Sequence, residues 1–153
     1  MISVCMATHN GEKYISEQID SILVQLSKED EIVISDDGST DNTLSIIEAY
    51  QDPRLKVHRF QQPEKSSHPH LYVTKNFENA IRQAKGDFIF LSDQDDCWMK
   101  DKVLKCMEYL KDNILVVHDA ETHCGNTVMG GVFMDIGSTN LTTCRSIRPI
   151  MVA

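Results

Sequence analysis

No two of the five cysteines, Cys5, Cys97, Cys106, Cys124 and Cys144, form a C-x-x-C pair. An odd, scattered set excludes a disulfide framework and a zinc ribbon, and fits reduced thiols. Basic charge is also scarce. Fifteen Lys and Arg stand against 23 Asp and Glu, a net charge of -8, which disfavours nucleic acid or an anionic membrane as a general partner. Any phosphate must therefore be met locally. Long apolar runs are missing too: none approaches the ~20 residues of a membrane span, and Met1 to Met6 is too short for a signal peptide. There is no internal repeat and no low-complexity tract. These absences give the expectation of a soluble, cytoplasmic chain that can associate peripherally with the inner face of the membrane.

What is present is 153 residues of 41% hydrophobic content, one domain's worth of chain with enough apolar matter for a core. The stretch Gly86 to Trp98, GDFIFLSDQDDCW, organises it. Phe88-Ile89-Phe90-Leu91 has the bulk and length of a buried strand, and it stops at Ser92, Asp93, Gln94, Asp95 and Asp96. Crowded carboxylates repel by about 1 kcal/mol or more per close pair, so they collect where something positive binds. A hard divalent cation is the usual answer, since Mg²⁺ or Mn²⁺ takes carboxylate oxygens and completes its shell with water and phosphates. The plain alternative is a solvated acidic turn.

Strand and helix alternate along the rest of the chain. Ile2 to Ala7 reads as a buried strand, Asn10-Gly11 as a turn, and Ile15, Ile19, Ile22, Leu23 and Leu26 recur at helical spacing, a core-packing face without chemistry. Ile32-Val33-Ile34 is a second strand that again runs into acids, Asp36 and Asp37, and Gly38 permits the tight turn. Ser39 or Thr40 is the expected cap of a helix carrying Ile46, Ile47 and Tyr50. Leu55 to Phe60 alternates as a half-exposed strand does, and Gln61 to His70 reads as a long loop. Helices follow at Val73 to Lys85 and around Val103 to Leu110, with a fifth strand at Ile114 to Val117. From His118 the periodicity fades, and Leu141 to Ala153 has none. Such βαβ repetition predicts an α/β fold, a mainly parallel sheet flanked by helices, whose ligands bind beyond the carboxyl ends of the strands.

Three loops should then meet at one rim: Ala7 to Asn10, Asp36 to Ser39 and Asp93 to Asp96. A nucleotide suits that rim. Asp37 can accept from a base N–H, His9 can stack on the base or donate to it, Asp93 can hold ribose hydroxyls, and Asp95 can bind a metal that neutralises a diphosphate. Asp36 and Asp41 read as capping acids, Lys75 alone as a surface lysine, and Trp98 as packing near the acidic loop.

The runs ATHNGEKYISEQIDSIL, VISDDGSTDNT and KNFENAIRQAKGDFIFLSDQDDCW, in this order, resemble the family 2 glycosyltransferases of the GT-A fold, a Rossmann-like nucleotide-binding architecture. The SDQDD-x-W form is similar to bacterial enzymes of cell-surface polysaccharide synthesis, rhamnosyltransferase-like members among them. The resemblance implies that Thr8, His9, Asn10 and Asp37 contact the base, that Lys75 lies near the nucleotide, that Asp93 binds the ribose and that Asp95 binds Mn²⁺ or Mg²⁺. His9 stands where a tyrosine is usual, and Lys75 where an arginine is common. The expected activity is inverting, metal-dependent transfer from a UDP- or dTDP-sugar to a glycan or lipid-linked acceptor.

The resemblance covers residues 1–118 as a donor-binding domain, leaving 119–153 as the start of an acceptor side. No catalytic base is identified: Asp119, Glu121 and Asp135 are the acids of that tail, and none sits in a matching motif. Two other readings stay open. One is a module that holds nucleotide and metal without transfer. The other takes Asp93 and Asp95 as nucleophile and acid of a haloacid-dehalogenase-like phosphatase.

Overall fold

The computed structural model describes residues 1–62 and 69–117, together with the strands within 121–131 and 150–152, where, as at 69–70, only the backbone course is considered. The elements are β1 (Ile2–Thr8), α1 (Ile15–Leu23), β2 (Glu31–Asp36), α2 (Thr43–Ala49), β3 (Leu55–Arg59), α3 (Pro69–Gln83), β4 (Phe88–Asp93), α4 (Lys102–Tyr109), β5 (Leu115–Val117), β6 (Glu121–Cys124), β7 (Thr127–Gly131) and β8 (Ile150–Val152). Among the described residues one sheet runs β3-β2-β1-β4-β8-β5 with its pairings parallel, and β6 and β7 form a separate antiparallel pair.

Period-two alternation decides which face each strand residue serves. Val4 and Met6 of β1, Ile32 and Ile34 of β2 and Phe90 of β4 join a core with Ile15, Ile19 and Ile22 of α1, Ile47 of α2 and Val103 of α4. The intervening Cys5, Val33 and Ile89 face the other way, onto Ala80 of α3 and Ala84 just past its end. Helices therefore cover both faces, as the alternation predicts. The small side chains of Ala80 and Ala84 let α3 and the residue that follows it lie close to the sheet, while the opposite face is filled by branched and aromatic side chains. Burial pushes the Cys5 thiol up to about 12, with help from Glu31, so it is inert packing and no nucleophile.

Local chemistry sets the element ends. α1 stops at Leu23, three residues before the apolar pattern does, because Arg54 Nη1 donates to the Leu23 and Leu26 carbonyls at 3.0 Å while its guanidinium pairs with Asp52. The α2 amide end is bound by Asp41, whose Oδ1 accepts from Thr43 N at 3.0 Å, which corrects the expectation of Ser39 or Thr40 as cap. α3 begins at Pro69, inside the stretch read as loop, since proline has no N–H to lose in a first helical turn. β8 lies in the tail that shows no period: a strand of three residues is too short to display one.

At the amino ends of the strands, Gly86 meets β1 so closely that a Cβ on it would sit 2.6 Å from Ser3 N. Gly86 N donates to Ser3 Oγ, Ser3 Oγ donates to the buried Glu31, and Lys85 N donates to the same Glu31 oxygen. This closes the bottom of the sheet and sets the register of β1, β2 and β4, which places the opposite, carboxyl ends level with one another.

Candidate active site

The parallel register brings Thr8 beside Asp36 and Ala7 beside Asp93. β1 lies between β2 and β4, so the two acidic turns flank it at one strand spacing each, roughly 5 Å to either side. Asp37 and the Asp93-Asp95 pair thus share one rim.

Hydrogen bonds knit the rim together. Asp37 N donates to the Thr8 carbonyl at 2.9 Å, and His9 Nδ1 lies 2.7 Å from the Asp37 carbonyl. A carbonyl only accepts, so Nδ1 carries the proton, and Nε2 is left to accept from the Asn10 amide at 3.3 Å. Both ring nitrogens of His9 are thus engaged within the protein, and the ring itself is exposed. Asn10 takes a left-handed conformation, φ 50°, that lets its Oδ1 accept from Thr40 N at 2.8 Å while its own N–H donates to Ser39 Oγ. Gly38, at φ 68°, makes the turn between them.

Thr8 and Asp36 serve the frame. Thr8 is buried, its hydroxyl donates to Asp36 Oδ1 at 3.1 Å, and its carbonyl accepts from Asp37 N and from Asn76 Nδ2. Asp36 also accepts from Ser39 N at 3.0 Å, as befits a capping acid. Asp37 is only partly buried. Its Oδ2 accepts from Gln62 Nε2 at 2.8 Å, and Gln62 reaches on to the Tyr72 carbonyl. Lys75 is exposed on α3, next in sequence to Asn76, whose amide reaches the rim at Thr8.

The acidic turn is anchored from below. Gln18 of α1, 0% exposed, donates through Nε2 to Ser92 Oγ and to the Asp93 carbonyl, and Ser21 Oγ donates to Gln18 and accepts from Trp98 N at 2.9 Å. Gln18 is a polar residue outside the apolar spacing of its helix, and only the packing of α1 beneath β4 shows it to be a buried support. Trp98 packs as expected, tilted against Phe90 at 5.7 Å, with Lys102 Nζ 4.2 Å above its ring. Burial lowers the Lys102 ammonium to about 8 against the opposing pull of Cys106 and Asp96.

Partial burial raises the Asp93 carboxyl above the ordinary range, and the Asp96 and Asp95 charges add to the rise. A raised acid contributes stability that is complete below its unfolded pKa and lost as pH climbs through the folded one. Asp93→Asn is accordingly expected to raise the melting temperature slightly at neutral pH. In a pH series of thermal melts the gain should vanish once the pH is below the normal carboxylate range.

The donor set fits a hard cation that needs help. Among the described residues no group of three or more His, Cys, Asp or Glu is arranged to hold a metal alone. One or two carboxylates completed by water and ligand phosphates is the mode of Mg²⁺ and, by the same oxygen-donor chemistry, Mn²⁺. The like charge that raises the Asp93 carboxyl is what such an ion would neutralise. On the Asp37 side of the rim, the buried acceptors Gln62 Oε1 and Asn76 Oδ1 have no protein partner among the described residues. A surface hollow of about 400 Å³ lies toward the start of β4, lined by Phe88, Leu104, Met107, Glu108, Leu110 and Lys111, and it includes none of the residues of the acidic rim.

The model for glycosyl transferase family 2 matches residues 3–128. The dTDP-rhamnosyl transferase RfbG of Shigella flexneri is 37% identical over 126 residues, which cover 80% of this chain and 41% of that protein. The crystal structure of S. aureus TarS 1–349 in complex with UDP-GlcNAc is similar with a TM-score of 0.65 and 30% identity, over 82% of this chain and 36% of that one. A mannosyltransferase from Pyrobaculum calidifontis, solved with GDP-Man and Mn²⁺, shares the fold with a TM-score of 0.62 at 24% identity, over 79% of this chain and 35% of that one. The chain thus spans about two fifths of the length of such relatives. With the acid-ended β2 and β4 flanking β1 at one rim of a parallel sheet and a family match running through all three, the chain belongs to glycosyl transferase family 2 and has its GT-A fold.

Proposed function

We propose that this chain supplies the donor-binding portion of an inverting glycosyltransferase that moves a sugar from a UDP- or dTDP-sugar to a glycan or lipid-linked acceptor of the cell surface. One observation carries the reading: Asp37, His9 and Gln94 are hydrogen-bonded in series across β2, β1 and β4, so base-side and acid-side groups form one continuous edge. His9 and Asn10 offer the base a face and Asp37 its second carboxylate oxygen, with Thr8 holding them in place. Lys75 stands near the nucleotide from α3, and Asp93 faces the ribose. Asp95 holds Mn²⁺ or Mg²⁺, which when bound supplies charge to the departing diphosphate. The acceptor hydroxyl needs a carboxylate base that these residues do not identify. The division at residue 118 into donor and acceptor sides, the cytoplasmic location and the peripheral seat at the membrane belong to the same proposal. No described helix is long and apolar enough to cross a membrane.

The family match and the engaged Asp37 turn set aside the phosphatase reading. A binding module that transfers nothing stays as the second reading, because a relative such as RfbG is more than twice as long as the matched stretch. A thermal-shift screen of nucleoside diphosphates and their sugars, with and without Mn²⁺, tests the site. Stabilisation of about 2.7 kcal/mol is expected at a hundredfold excess over Kd. No stabilisation by any uridine or thymidine diphosphate would defeat the reading. Release of free nucleoside diphosphate on incubation with acceptor separates transfer from binding alone.

A further inference from the structure

We infer that Gln94 is a positioning residue, a latch that joins the base-side loop to the acidic turn and thereby sets the directions of Asp93 and Asp95. The inference rests on the donor-site reading above and deepens it. Gln94 stands between the two carboxylates in sequence, so whatever fixes its side chain fixes the backbone that carries them. Its amide forms a reciprocal pair with a single residue: His9 N donates to Gln94 Oε1 at 2.9 Å, and Gln94 Nε2 donates to the His9 carbonyl at 3.1 Å. Two parallel bonds to one residue restrict the amide in both position and plane, as one bond would not. His9 is itself held to the Asp37 carbonyl. The base-side acid and the metal-side acids are therefore linked through one glutamine.

The rest of the turn is pinned at its two flanks. Gln18 holds the Asp93 carbonyl from beneath at 3.1 Å, and Ser21 holds Trp98 N at 2.9 Å. Between these anchors Asp95 is solvent-exposed, and the latch limits the arc it can explore. Gly11 makes room for it: a Cβ at that position would lie 2.4 Å from Gln94 Oε1 and 2.8 Å from Gln94 Cδ. Glycine at residue 11 is thus required by the latch, and its turn geometry alone does not demand it, since its φ lies outside the left-handed region.

Gln94→Met keeps side-chain length and removes both bonds, while Gly11→Ala keeps the glutamine and takes the space it occupies. Titration calorimetry of UDP and dTDP with and without Mn²⁺, together with the EPR signal of bound Mn²⁺, reads the effect. Wild type should bind nucleotide more tightly with Mn²⁺. Each variant should keep a cooperative melt and lose about 10- to 100-fold of that Mn²⁺-dependent tightening, the range for a residue that orients metal ligands. The double variant should lose no more than either single one, because both act on the same contact. Gln94 is partly exposed, so Gln94→Met keeps the experiment decisive if Gly11→Ala does not fold. Tightening within about twofold of wild type in Gln94→Met, or additive losses in the double variant, would overturn the latch. Absence of tightening in the wild type would overturn the metal reading itself, and with it the latch, and is told apart by the wild-type arm alone.

Discussion

Asp95→Ala is expected to abolish the Mn²⁺-dependent part of nucleotide-sugar binding, a loss of at least about 100-fold or about 2.7 kcal/mol in calorimetry. Asp95 is exposed at the tip of the turn and beside Asp93, whose carboxyl is raised by burial and by the Asp96 and Asp95 charges. Removing one charge therefore relieves the protein while depriving the ligand. The apo fold should be no less stable than wild type, because the position is solvent-exposed and its neighbours repel it. Metal-free nucleotide binding should change little, since Asp37 and His9 are untouched. An Asp95→Ala protein that binds nucleotide as tightly with Mn²⁺ as wild type does would remove Asp95 from the metal site.

The second large effect concerns stability. Phe90 is fully buried at the centre of β4, between the sheet core and Trp98. Phe90→Ala should cost about 3–5 kcal/mol, the transfer term plus a cavity that close-packed neighbours fill only in part. Against a total stability of about 5–15 kcal/mol for a single domain, that leaves the variant marginal. Urea unfolding followed by the fluorescence of Trp98, the one tryptophan of the chain, reports it directly, because the ring that stacks on Trp98 is the one deleted. A midpoint close to wild type would show that β4 is not the central strand of the core.

The sheet and its acidic rim were readable in the chain because their physics is local. Runs such as Phe88 to Leu91 and Ile32 to Ile34 are apolar enough to be buried on both faces, and each ends abruptly in acids at the same structural level. What escaped reading depends on contacts far apart in sequence. Gln18 sits on a helix face like any polar residue until Ser92 and Asp93 are laid over it, 74 and 75 positions away. Thr8 looks like a ligand-facing residue until Asp36 and Asn76 claim its polar atoms. Gln94 is merely the middle letter of an acidic triplet until Gly11 opens the space beside His9. The helix start at Pro69 was obscured because a proline-containing stretch fits both a loop and a first turn. The acids of the tail, Asp119 and Asp135, lie outside the described residues, as does the side chain of Glu121.

The central claim is that an acidic rim and an acidic sugar carrier are reconciled there by a cation, and Mn²⁺ paramagnetic broadening in amide NMR spectra locates that cation without recourse to turnover. With UDP or dTDP present, the amides of Gln94, Asp95 and Asp96 should broaden first and those of His9 and Asp37 next, while Leu104 and Met107 of the hollow near the start of β4 stay sharp. Broadening centred on that hollow, or none at the rim with nucleotide bound, would contradict the account.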